Sequence, residues 1–181
     1  MIDELVLQAQ AGDKDAFGKI YDHFFEQIYR YVFFRVNQDE VEDIVEATFI
    51  KAWVNLEKYE KRDFSFSSWL YKIAHNATID HHRSHRKIEQ IDENIKDESE
   101  EAEPKKLAEQ GILSGKVRDA VNELKEPDRQ VVTLKFLNGL SNAEIAEILG
   151  EREGNIRVLQ FRALKELKKQ LEEKGISSEA L

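Results

Sequence analysis

Rings, cations and amides crowd one stretch of the chain, Tyr59 to Lys87. A loop supplies Tyr59, Lys61, Arg62, Phe64 and Phe66. A helix then carries Trp69, Tyr71, His75, Asn76, His81, His82, Arg83, His85 and Arg86. Such a set suits non-covalent work on unstacked bases: flat rings offer stacking platforms and cations follow the phosphates, with stacking worth roughly 1–3 kcal/mol per base. The plain alternative is a core helix with a solvated basic end. The histidines suggest two more chemistries. His81 and His85 are spaced i, i+4, as zinc ligands can be. An unperturbed imidazole titrates near pH 6.5, so histidines that face DNA would make that contact pH-sensitive. The stretch lacks the glutamate of the H-E-x-x-H zinc motif, and no other well-spaced ligand pair lies near it.

A second constellation lies downstream. Ser141-Asn142-Ala143-Glu144 is a capping box, the serine reaching forward and the glutamate back. Ile145, Ala146, Ile148 and Leu149 continue a short helix to Gly150. A long helix then runs from Glu153 to Leu171, with Ile156, Leu159, Ala163, Leu164 and Leu167 on its apolar side. Between Gly154 and Lys169 it carries Arg157, Arg162, Lys165, Lys168 and Lys169 against Glu166 alone. A capped helix, a glycine turn and a basic second helix form a helix-turn-helix, whose second helix enters the major groove. Arginine can read guanine there while neighbouring cations hold phosphates. An ordinary basic amphipathic helix would show the same charges.

The elements that must position these residues are helical. Asp13 to Val36 places Phe17, Ile20, Tyr21, Phe24, Ile28, Tyr31 and Val32 on one stripe. Glu40 to Leu56 does so with Val41, Ile44, Val45, Thr48, Phe49, Ala52, Trp53 and Leu56. Its other face shows Glu42, Asp43, Glu46, Lys51 and Asn55, either solvated or offered to a partner helix. Ser65 or Ser67 caps a third helix beginning near Ser68. Leu70, Ile73, Ala74 and Ala77 turn that helix toward the first two, so three or four helices share one core. Lys116 to Leu124 resumes the spacing, Pro127 starts a further helix and Gly139 ends it. The expected fold is all-α, with two small helical domains.

Charge separates the parts. The 181 residues carry a net charge of −9. Residues 1–87 hold 15 acids and 12 bases, residues 88–115 hold 9 and 3, and residues 116–181 hold 12 of each. The excess therefore concentrates in the middle segment, which is polar, lacks aromatics and cannot bury enough apolar surface to offset its ordering entropy. It reads as an acidic linker, either a plain spacer or a strand-like tether in a basic channel. There is no cysteine, which excludes disulfides and thiolate metal sites. No signal-peptide pattern and no membrane-length apolar run is present, so the expected place is the cytoplasm.

VEDIVEATFIKAW (41–53), FSFSSWLYKIAHNATIDHHR (64–83) and EPDRQVVTLKFLNGLSNAEIAEILGEREGNIRVLQFRALKELKK (126–169) together resemble the extracytoplasmic-function sigma factors of bacterial RNA polymerase. The resemblance spans nearly the whole chain in order. It implies sigma region 2 over 1–87, a linker over 88–115, region 4 over 116–175 and a short tail over 176–181. It implies core polymerase docking by Asp43 and Glu46. Tyr59, Lys61, Arg62, Phe64, Phe66, Trp69, Asn76, Arg83 and Arg86 would capture the −10 strand. Arg157, Gln160, Arg162 and Lys165 would contact the −35 duplex. The implied partners are core RNA polymerase, promoter DNA and an anti-sigma factor, often membrane-bound in the family. No cofactor, catalytic residue, small-molecule substrate or membrane insertion is implied. The chain departs from the family pattern at Glu46 and Ala47, usually glutamine and glutamate, at Arg152, commonly a serine or threonine cap, and at Val158-Leu159-Gln160, where a Ser-Arg run is frequent. The rivals are a dimeric helix-turn-helix regulator that needs no polymerase, and a metal enzyme built on the histidines.

Overall fold

The computed structural model describes residues 1–61, 65–89 and 115–176, the side chains of 85–89 and 115 excepted. Every regular element among them is helical. The chain divides into an N-terminal and a C-terminal unit.

The first unit contains α1 (Ile2–Gln10), α2 (Lys14–Phe33), α3 (Val41–Asn55) and α4 (Phe66–Glu89). The segment before Asp13, which carries no signal-peptide pattern, forms α1, burying Val6 and Ala9 against α2. Asp13 caps α2, its Oδ1 accepting the N–H groups of Asp15 and Ala16 at 2.9 and 3.1 Å. Ile20, Phe24, Ile28, Tyr31 and Val32 form the buried stripe of α2 as the spacing requires. Tyr21 is a correction: it lies exposed at the rim, its ring 4.6 Å from Phe49. Single helical turns, Gln38–Glu40 and Leu56–Lys58, flank α3. Thr48 is fully buried in α3 because its hydroxyl donates to the Ile44 carbonyl at 2.7 Å. Trp53, expected on the core stripe, is also partly exposed and meets Phe17 edge-on. Leu70, Tyr71 and Ala74 of α4 close the core completely. Burying one such leucine contributes about 1.5–3 kcal/mol.

The second unit contains α5 (Gly115–Asn122), α6 (Glu126–Val132), α7 (Asn142–Leu149) and α8 (Glu153–Glu173). Pro127 sits in the first turn of α6, where its missing N–H is harmless. The end of α6 widens into a π turn, Thr133–Leu137, in which the Asn138 N–H reaches the Thr133 carbonyl at 3.1 Å. Gly139 at φ 72° and Gly150 at φ 68° then turn the chain through conformations that favour glycine. Ala120, Val121, Leu124, Val131, Val132, Leu134, Ile145, Ile156 and Ala163 form the core, with α8 packed on both α5 and α6.

Candidate nucleic-acid interface

Ser65, not Ser67, caps α4: its Oγ accepts the Ser68 N–H at 3.2 Å, one turn after the loop. The loop itself is tied from behind. Gln10 of α1 donates to the carbonyls of Leu56 and Tyr59 at 2.9 and 2.8 Å. Lys61 donates to Asp3 at 2.6 Å, a bond that raises the lysine's pKa.

Tyr59 and Phe66, expected among the base-capturing rings, are both buried. They are 8% and 2% exposed. Their rings meet at 5.4 Å nearly perpendicular, and Trp69 lies 5.2 Å from the first and 5.3 Å from the second. Phe24 adds a fourth ring 5.7 Å from Phe66. Tyr59 and Phe66 thus anchor the loop, and Trp69, half-buried, is the accessible member of that cluster. Asn76 and Arg83 are exposed on α4. Arg62 and Phe64 lie outside the described residues, and the backbone of Arg86 is described without its side chain.

Among the described side chains the histidines do not form one group; that of His85 lies outside them. His75 is buried, its Nδ1 3.1 Å from Tyr31 Oη, which accepts from the buried Arg35 at 2.9 Å. His81 pairs with Glu40, Nε2 to Oε2 2.9 Å, and the same oxygen accepts the Asn37 N–H. His82 stands beside it at 6.0 Å between ring centroids. The expectation that the cluster faces the strand is therefore corrected for His75 and His81, which serve internal bonds. Among the described residues no three histidine, aspartate or glutamate side chains converge on a metal-sized site.

On α3, Asp43 and Glu46 are exposed, and Ile50 and Val54 continue outward along the helix. Beside them a ladder of rings climbs α2: Tyr21 to Phe25 at 5.2 Å, Phe25 to Tyr29 at 5.9 Å, Tyr29 to Phe33 at 6.4 Å. Burial first, then the charges of Asp22 and Glu46, push the Tyr21 pKa up; burial and Glu42 do the same to Tyr29. The surface combines carboxylates with exposed apolar groups.

In the second unit the capping box forms as the sequence requires. The Ser141 N–H donates to Glu144 Oε2 at 2.8 Å and the Glu144 N–H to Ser141 Oγ at 3.2 Å. Arg152 holds the N-cap position of α8 without a side-chain bond. Ile156 and Ala163 are buried as expected, but Leu164 is exposed. The face opposite Ile156 carries Val158, 67% exposed, Phe161, 75% exposed, and Lys165. Neither Val158 nor Phe161 is among the expected −35 contacts, although the 3.6-residue period sets both away from the buried stripe. Arg157 is exposed and bonds Glu153 at 2.6 Å. Gln160 accepts from Asn142 of α7 at 3.3 Å, linking the two helices of the motif. Arg162 is engaged across the unit by Asp128, with bonds of 2.6, 2.9 and 3.2 Å.

Two protein families match in the order of the two units: Sigma-70 region 2 over residues 20–88 and Sigma-70 region 4 over residues 114–167. Among curated relatives, the ECF RNA polymerase sigma factor SigW of Bacillus subtilis is 34% identical, over 94% of this chain and 97% of its own length. The chain belongs to the ECF sigma factors. The ECF sigma factor BldN of Streptomyces coelicolor is 37% identical over 91% of this chain, which spans 63% of BldN's length. Two solved structures share the fold at 24% identity. RpoE of Bartonella quintana, crystallised with the anti-sigma factor NepR, has a TM-score of 0.73 over 85% of this chain and 97% of its own. CnrH, in complex with the cytosolic domain of CnrY, has a TM-score of 0.70 over 93% and 95%. Among the described residues of this sigma factor no helix is long and apolar enough to cross a membrane.

Proposed function

We propose that this sigma factor binds core RNA polymerase through the outer face of α3, grips −35 duplex DNA with α8 and holds the melted −10 strand on the loop before α4 and on α4 itself. The presence of a capped helix-turn-helix in the same chain as a Sigma-70 region 2 match carries this reading. Asp43 and Glu46 supply charge to the docking face. Trp69, Asn76 and Arg83 line the strand path, with Arg62, Phe64 and Arg86 completing it. Tyr59 and Phe66 hold the loop in place. Arg157, Gln160, Arg162 and Lys165 serve the −35 contact, joined by Val158 and Phe161.

The mechanism is binding rather than catalysis. Core polymerase forms the phosphodiester bonds, and sigma supplies sequence preference. Opening a base costs a few kcal/mol, offset by stacking and pocket contacts. No metal or cofactor enters the scheme. The acidic 88–115 segment would lie in a basic channel of the polymerase; residues 90–114 are outside the described ones. The site of action is the cytoplasm, and an anti-sigma factor would hold the protein inactive by covering these surfaces.

Run-off transcription with core polymerase on a randomised promoter library tests the proposal. Transcripts that share two short elements at −35 and −10 are expected. A protein that yields no transcript with active core, or that alone protects a palindrome tightly, overturns it.

A further inference from the structure

Arg162 lies on the solvent side of α8, one helical turn from Val158 and from Lys165, yet its head is not left to wander. Its Nε donates to Asp128 Oδ1 at 2.9 Å and Oδ2 at 3.2 Å, and its Nη2 donates to Oδ1 at 2.6 Å. The two partners are unequal in exposure: the Asp128 side chain is 5% exposed and that of Arg162 is 55% exposed. The carboxylate is buried and the arginine half-exposed, with the Nε–Nη2 edge taken up by Asp128 and the Nη1–Nη2 edge left over. Lys125 holds the N-cap position of α6, and Asp128 stands in the first turn of that helix, where the backbone dipole favours a negative charge.

We infer that Asp128 is a positioning residue for promoter discrimination, fixing Arg162 so that its outer Nη1–Nη2 edge meets a guanine in the −35 element. The inference rests on the reading of α8 as the −35 helix. A planar fork has two useful edges, and engaging one with a buried carboxylate aims the other. The outer edge carries parallel N–H donors, which match the O6 and N7 acceptors of guanine in the major groove. Pairing also removes most of the net charge at this point, so Arg162 contributes direction more than counterion release. Rotamer freedom that a solvated arginine would lose on binding DNA is lost on folding instead.

This arrangement makes a prediction opposite in sign to simple electrostatics. Removing a negative charge next to a DNA-facing arginine should, by charge alone, tighten binding to every sequence. Loss of positioning should instead erode preference at one or two base pairs. The test uses holoenzyme assembled from full-length protein and core polymerase, with a promoter duplex and duplexes substituted at each −35 position. Asp128→Asn and Arg162→Lys are each expected to reduce preference at the same position by about tenfold, within the range of one bidentate base contact. Preference elsewhere stays as in the wild type. Equal loss on all duplexes means a merely structural role, and equal gain means a charge effect; either overturns the inference, as does unchanged preference. Thermal unfolding is followed alongside. Should Asp128→Asn fail to fold, Arg162→Lys carries the test, because its head is exposed and the charge is kept. Wild-type holoenzyme with no −35 preference overturns the promoter reading itself; wild-type preference that both variants retain overturns the Asp128 assignment alone.

Discussion

The amide of Gln10 holds the carbonyl of Tyr59 at 2.8 Å, and the same nitrogen holds Leu56 at 2.9 Å. The first helix of the chain thereby fixes the exit of α3 and the entry to the aromatic loop 49 residues later. Gln10→Ala removes both bonds and is expected to cost about 1–2 kcal/mol of unfolding free energy. The loss should appear in urea titration, and open-complex formation should slow more than −35 duplex binding weakens. Unaltered promoter opening would show that the loop holds its course without Gln10.

Phe64 and Arg157 should separate the two halves of the activity. Phe64→Ala is expected to impair promoter opening, by roughly the 1–3 kcal/mol of one stacked base, while duplex binding persists. Arg157→Ala should do the reverse. Permanganate footprinting of melted thymines reads the first, and mobility shift with duplex −35 DNA and holoenzyme reads the second. Equal effects of both changes on closed-complex affinity would abolish the division.

Asp43 is exposed on α3, so reversing its charge leaves the core untouched. Asp43 lies in the first turn of α3, where the helix dipole favours a carboxylate, so Asp43→Lys is expected to cost about 1 kcal/mol of unfolding free energy. Its affinity for core polymerase should fall by tenfold or more, because like charges at a docking face are strongly disfavoured. Fluorescence anisotropy of labelled sigma titrated with core polymerase checks this. Wild-type affinity in the variant would move the docking face elsewhere.

Lys165 stands exposed on the face of α8 opposite its buried stripe. If about four cations of this helix contact phosphate, log affinity should fall with log salt at a slope of roughly −3 to −4. Lys165→Ala should flatten that slope by about 0.9 and weaken binding alike across sequences. A sequence-dependent loss would reassign Lys165 to base reading.

Much of this molecule follows from spacing alone. The α2 stripe from Ile20 to Val32, the Ser141–Glu144 box and the glycine after α7 are local devices, set by 3.6-residue periodicity and by side chains bonding within one turn. So is the family resemblance, carried by ordered runs of residue types. What periodicity leaves open is how wide a buried stripe is, which is why Tyr21, Trp53 and Leu164 lie further out than their spacing implied.

Pairing between distant residues needed the packed chain. A ring in a loop suits base stacking or core packing equally, and only the meeting of Tyr59 with Phe66 and Trp69 decided for burial. Four histidines within eleven residues suggested one site, but α4 turns His75 inward to Tyr31 and His81 toward Glu40. Arg162 and Asp128 are 34 residues apart, and nothing in either neighbourhood signals the other. Local sequence sets which side chains a helix offers; which of them remain free to meet DNA is settled by the carboxylates, rings and carbonyls that folding brings against them.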